Sequence, residues 1–119
     1  MGFGEAVSTC FSKYATFTGR ARRPEYWYWV LFGVGVGIVA TILDAIVFDT
    51  TSSVFSILSS LGLLLPNLAV TVRRLHDIDR SGWWMFILLL PLIGALVMFV
   101  FMCLRGTPGP NRFGQDPGT

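Results

Sequence analysis

The residues able to do chemistry fall in two short stretches of the chain. The first, Arg73-Arg74-Leu75-His76-Asp77-Ile78-Asp79-Arg80-Ser81-Gly82, places seven ionisable or hydroxyl side chains in ten residues and runs directly into Trp83 and Trp84. The second holds Arg20, Arg22, Arg23 and Glu25. His76, Asp77 and Asp79 have the donor types of a divalent-metal site, but one imidazole and two carboxylates without a partner cluster do not make a ligand set. Catalysis needs a nucleophile, or a general acid and base, in mutual reach, and a single histidine beside Ser81 and two aspartates does not specify that. We therefore expect no catalytic residue, metal or cofactor, and no enzyme. What these residues can do is pair. Arg73 and Arg74 suit the C-terminal dipole of a preceding helix, and Asp79 or Ser81 suits the N-cap of a following one. Glu25 is placed to meet Arg73 or Arg74, and Arg22 and Arg23 to meet Asp77 or Asp79.

The elements that must position these groups are apolar. Hydrophobic residues make up 53% of the 119 and charged residues only 13%, with a mean hydropathy of +0.63, which is too apolar for a soluble domain of this size. The bilayer is the expected solvent, and the net charge of +2 gives no reason to expect a nucleic-acid partner. Tyr26–Phe48 (23 residues, with Asp44 its one charge), Val54–Val72 (19) and Trp83–Leu104 (22) each meet the length of roughly 20 residues that a helix needs to cross a hydrocarbon core of about 30 Å. The fold class expected is an all-α membrane protein, one domain of three transmembrane helices (26–48, 54–72, 83–104) preceded by an amphipathic interfacial helix (1–19) and followed by a polar tail (105–119). The short link Asp49–Ser53 makes the first two spans an antiparallel hairpin. Four basic residues precede span one (Lys13, Arg20, Arg22, Arg23), none separate spans one and two, three lie before span three (Arg73, Arg74, Arg80) and two follow it (Arg105, Arg112). The positive-inside rule then puts the N-terminus and the loop 73–82 in the cytoplasm, and three crossings put the tail outside. Tyr26 to Trp29 and Trp83-Trp84 supply aromatic belts on the cytoplasmic side. The first 25 residues contain no continuous apolar core and do not read as a cleavable signal peptide. Cys10 and Cys103, placed on opposite sides by this topology, are not expected to pair.

Within these elements some residues carry more than one meaning. Phe3, Val7, Cys10, Phe11, Tyr14 and Phe17 recur at helical spacing opposite Glu5, Ser8, Ser12, Lys13 and Thr16, a pattern that fits a helix in the inner interface or one packed on the protein itself. Gly33 and Gly37, continued by Ala40 and Thr41, form a small-xxx-small face that lets two helix backbones approach, within the chain or between copies. Pro66 frees the carbonyl of Gly62, and Pro91 that of Ile87. Asn67 then bonds that carbonyl or a neighbouring helix, or lines a cavity. Asp44, an ionisable group inside a span, points to an ion pathway by default, but it sits one turn from the outer end, where it can reach water.

Three blocks, Phe17-Thr-Gly19-Arg20-Ala-Arg22-Arg23-Pro-Glu25-Tyr26-Trp27, then Arg73-Arg74-Leu75-His76-Asp77 with Ser81-Gly82-Trp83-Trp84, then Gly109-Pro110-Asn111-Arg112-Phe113-Gly114, give the chain a resemblance to a bacterial inner-membrane family, the domain of unknown function 805, which includes the YhaH-like inner membrane proteins. The resemblance runs from about Phe3 to Pro117, with Phe113 where the family more often has tyrosine. It implies a cytoplasmic-membrane location and several membrane helices, and no activity. The function expected is that of a structural or interaction protein working as a homo-oligomer or with a larger membrane partner. Its arginines are placed to contact anionic lipid headgroups, each worth about 1 kcal/mol near such a leaflet. The alternative is a channel or transporter component in which an oligomer surrounds a path touched by Asn67 and Asp44.

Overall fold

The computed structural model describes residues 2–49, 51–115 and 117. Its elements are helices α1 (Phe3–Ser12), α2 (Arg23–Phe48) and α3 (Val54–Asp77), a 3₁₀ helix (Gly82–Leu89) and α4 (Pro91–Cys103). At 26 and 24 residues, α2 and α3 are both long and apolar enough to cross a membrane. They begin or end beyond the expected spans: α2 starts three residues early, with Pro24 in its first turn, where a missing N–H costs nothing. α3 continues five residues further, to Asp77, because Arg73, Arg74, Leu75, His76 and Asp77 are buried rather than looped into water.

The turn between α2 and α3 is tied by Asp44. Its carboxylate accepts from the backbone N–H groups of Phe55 (2.7 Å) and Ser56 (3.1 Å) and from the Ser56 hydroxyl (2.7 Å). The buried charge thus caps the first turn of α3 from the neighbouring helix, doing what the local N-cap Ser53 does not. α2 itself stops at Asp49, whose φ of +50° lies in the left-handed region that aspartate tolerates. Pro66 stays inside a continuous α3. The Gly62 carbonyl freed by it accepts from the Tyr14 hydroxyl, and Asn67 accepts from Trp29 Nε1 at 2.6 Å.

Helix α1 packs on the pair: Ala6 and Cys10 are fully buried, Val7 and Cys10 join Ala21, Trp29 and Val70 in one apolar core, and Phe11 meets the rings of Trp29 and Phe32 edge-on. It is ten residues long, shorter than the expected 1–19, and ends where Lys13 takes a non-helical conformation.

Segment 83–104 departs most from expectation. It is two short helices folded back on each other. Pro91 pushes Leu90 into an extended conformation (φ −89°, ψ 105°), as proline does to its predecessor, and itself takes the first position of α4. A Cβ on Gly94 would stand 1.9 Å from the Ile87 carbonyl oxygen, so only glycine permits this close approach. Trp84 and Phe101 meet edge-on at 5.5 Å, with the Arg80 guanidinium 5.1 Å and 5.2 Å over their rings. The hairpin packs Met98 and Met102 on Leu75 and Ile78, beside Tyr26 and Trp27. Its return brings the tail to the same end of the molecule as Arg20 and Asp77, not to the opposite end.

Close packing through Gly33 and Gly37 is not made within the chain. A Cβ added to either meets nothing within 4 Å; both line an open groove of about 550 Å³ between α2 and α3, facing Ser59, Ser60 and Leu63.

Candidate functional site at the basic end of the helix pair

The N-terminal end of α2 and the C-terminal end of α3 meet the tail in a buried ionic cluster. Its frame is main chain. Gly19, at φ +87°, turns the chain into an extended run in which the Ala21 N–H donates to the Arg73 carbonyl (3.0 Å). Along this run Arg20 and Ala21 are buried, whereas Arg22 stays half-exposed as the N-cap of α2.

Arg20 reaches Asp77 Oδ1 through Nε and Nη2, both at 2.9 Å. It also donates to the carbonyls of Asp77 (3.2 Å), Thr107 (2.6 Å) and Gly109 (2.7 Å). Asp77 Oδ2 receives Arg74 Nη1 at 3.1 Å, so one carboxylate joins two guanidinium groups. Arg74 Nη2 donates to the Met102 (3.1 Å) and Leu104 carbonyls at the end of α4, where the helix dipole favours a cation. Gly106 passes so close that a Cβ would sit 2.2 Å from Asp77 Oδ2. Thr107 N–H donates to the Asp77 carbonyl (2.8 Å), and Asn111 Nδ2 to the carbonyl of His76 (2.9 Å). A second pair, Glu25 Oε1 with Arg73 Nη1 at 2.6 Å, is also sealed from solvent. Arg73 Nε and Nη2 and Arg74 Nε are buried without a hydrogen-bond partner among the described residues. His76 Nδ1 lies 2.9 Å from the Gly19 carbonyl. Because that oxygen can only accept, Nδ1 carries the proton. The ring stacks on Phe113 at 4.0 Å, and the Arg112 guanidinium lies 4.8 Å from the centre of the Phe113 ring. Cys10, 4.0 Å from Glu25 Oε1, has its thiol pushed up to about 11, first by burial and then by the Glu25 charge.

Of the sequence-derived candidates, Arg20, Glu25, Arg73, Arg74, His76 and Asp77 share this cluster. Arg23 stands at its rim, donating to the Cys103 carbonyl (3.4 Å). Ser81 caps the 3₁₀ helix by accepting from Trp83 N–H, and Trp83 and Trp84 lie exposed beyond it. The pairing of Glu25 with Arg73 is as read from the sequence. Arg22 and Arg23 do not pair with Asp77 or Asp79; Arg20 and Arg74 take Asp77, and Arg112 takes Asp79 at 3.2 Å. Asp44 and Asn67 are far from the cluster, committed to the cap and to Trp29. Cys10 and Cys103 are both free. Thr107, Gly109 and Asn111 were not singled out for the cluster from sequence; the block Gly109–Gly114 marked Gly109 and Asn111 only through its resemblance, and nothing marked Thr107. No group of three metal-ligating side chains occurs among the described residues.

The arrangement is ionic glue. Each carboxylate of the cluster faces a guanidinium group, and backbone carbonyls of the tail and of α4 accept further bonds from Arg20 and Arg74, so segments distant in sequence are pinned at one point.

Comparison with known proteins places this geometry in a lineage. Residues 14–115 match the family model described as protein of unknown function (DUF805). The chain is 47% identical over 107 residues to inner membrane protein YhaH of Escherichia coli K12, covering 87% of this chain and 88% of the relative. It is 45% identical over 104 residues to inner membrane protein YhaI of the same strain, covering 87% of each. The uncharacterized protein YiiR is 28% identical over 127 residues, covering 85% of each. No solved structure matches the chain. The matched range 14–115 includes Arg20, Glu25, Arg73, Arg74, His76 and Asp77, and the chain belongs to the DUF805 family of bacterial inner-membrane proteins.

Proposed function

We propose that the protein is a two-crossing scaffold of the inner membrane, with both ends of the chain in the cytoplasm and the ionic cluster as the clamp that holds a platform there for a membrane partner or a second copy. The observation that carries this reading is the pinning of the tail: Arg20 holds the Thr107 and Gly109 carbonyls at 2.6 and 2.7 Å, on the end of the molecule that bears Arg73 and Arg74. With the tail there, all nine basic residues fall on one side, and the two arginines after the third apolar segment no longer oppose the positive-inside rule. A scaffold, not an enzyme, is supported because the acids of the cluster, Glu25 and Asp77, are engaged in ion pairs. The open groove at Gly33 and Gly37 offers the small-residue face on which helices associate. Anionic headgroups remain ligands for the arginines that are not buried, Arg22, Arg23, Arg80, Arg105 and Arg112. A permeation path is less well supported, since the polar groups it would use, Asp44 and Asn67, are engaged in helix capping and in a bond to Trp29.

Paired reporters fused after residue 119 test the topology. A cytoplasmic fluorescent reporter should be bright and a periplasmic phosphatase inactive; the reverse result would overturn the reading. Mass measurement in nanodiscs then gives the number of copies and any bound lipid.

A further inference from the structure

The protein's cross-section is unequal between the two leaflets, and we infer that it is a curvature-sensing wedge whose partner is the lipid of a cytoplasmic leaflet bent convex toward the tail. The inference rests on the two-crossing reading above. The other elements pack from the basic ends of α2 and α3 to about mid-helix: α1 against Trp29, Phe32 and Leu63, with Tyr14 reaching the Gly62 carbonyl, and the 3₁₀–α4 hairpin against Tyr26, Trp27 and Leu75. The last turns of α2, where Ile42, Ile46 and Val47 are 52%, 72% and 58% exposed, are joined to α3 by the Asp44 cap.

The hairpin is built for acyl chains. From Gly82 to Cys103 it contains no Asp, Glu, Lys, Arg or His. Its outward residues Leu89, Leu92 and Ile93 are 79%, 77% and 66% exposed. Thirteen residues of α4 rise about 20 Å, short of the roughly 30 Å hydrocarbon core, so the hairpin ends within the bilayer. The reversal supplies its own hydrogen bonds, Leu90 N–H to the Ile87 carbonyl (3.0 Å) and Gly94 N–H to that of Leu90 (2.8 Å), which lets it stand in hydrocarbon. At its mouth, Arg80 over Trp84 supplies the cationic and aromatic groups of an interface. Each added helix is about 10 Å across, so three such bodies widen one leaflet with nothing to match them in the other. A flat bilayer must compress around them; one convex on that side does not.

Reconstituted full-length protein, carrying a fluorophore on the exposed Cys103, tests this in single vesicles of graded size with a membrane-impermeant reductant that bleaches only outward-facing label. Tail-out and tail-in molecules have opposite curvature preferences. The tail-out to tail-in ratio should therefore rise about twofold or more from vesicles of about 400 nm to those of about 50 nm. A ratio independent of diameter overturns the inference. A second preparation, labelled at Gly2→Cys in a Cys103→Ser background, separates the two ideas: both labels bleach in equal fraction if the chain ends share a side, and in complementary fractions if the topology itself is wrong. Leu89→Lys with Leu92→Lys, which draws the tip toward the headgroups, should weaken the size dependence; full retention of it would remove the hairpin from the mechanism.

Discussion

Asp77 holds two arginines and, through its carbonyl, the tail. Removing its charge strands two buried cations, which costs about 3–5 kcal/mol in comparable buried pairs. Asp77→Asn should therefore lower the thermal midpoint in detergent more than Asp79→Asn, whose pair with Arg112 is largely exposed. Equal midpoints would show that the cluster carries no such load. Gly106→Ala tests the same point from the other side, because its methyl group would collide with the carboxylate. Cys10 offers a measure of tightness. Its folded pKa of about 11 exceeds the ordinary 9.0, so the unfolded chain gives up this proton first. Its contribution is complete below pH 9 and is lost as pH rises from there through 11. At pH 8 mass spectrometry should find a single alkylated thiol, on Cys103, and two after denaturation. The Glu25–Arg73 pair was legible in the sequence because each residue adjoins the end of a long apolar run, and two antiparallel runs bring their ends together. The Arg20–Asp77 pair was not, because nothing in residue spacing says that an extended strap at 19–22 turns Arg20 inward while leaving Arg22 outside.

At the scale of elements, the first two apolar runs were readable because length alone makes a bilayer helix. The third was misread for a physical reason. Counting apolar residues treats Pro91 as a kink, but the proline stands after a 3₁₀ turn and before a glycine whose missing side chain lets the helices touch. There the chain reverses. Gly94→Val should force the two arms apart and lower folded yield, a result read by size-exclusion chromatography; an unchanged profile would mean the close approach is dispensable. For Gly33 and Gly37 the expectation now runs the other way. A Cβ at either position meets no atom of the described residues within 4 Å and an open groove lies beside both, so with isoleucine at both the folded yield should hold. A fall in nanodisc mass would then identify the groove as an interface between copies, and an unchanged mass would assign it to lipid or another partner.

On the scale of the whole molecule, two helices are long and apolar enough to cross a membrane and the tail is pinned beside Arg20; on the proposed two-crossing reading the third apolar run becomes a half-depth hairpin and the tail turns over to the cytoplasmic side. The charge count alone had signalled strain, since Arg105 and Arg112 fitted poorly outside, but composition gives no way to see that a carbonyl at 107 or 109 waits for Arg20. Deleting residues 105–119 should leave both spans inserted while removing carbonyl partners of a buried guanidinium, each bond to a charged group worth about 1.5–3 kcal/mol. Protease resistance of the 19–25 segment should drop in inside-out vesicles. The order of synthesis gives the clamp a further meaning. Arg20 is made 89 residues before Gly109, and every helix has been synthesised before its last acceptors exist. The helices must enter the bilayer with their charged ends still solvated at the surface, and the clamp closes afterwards as a latch on a finished insertion. On the two-crossing reading, a chain inserted with its hairpin across the membrane would strand its tail on the far side and leave the Arg20 strap without its Thr107 and Gly109 acceptors.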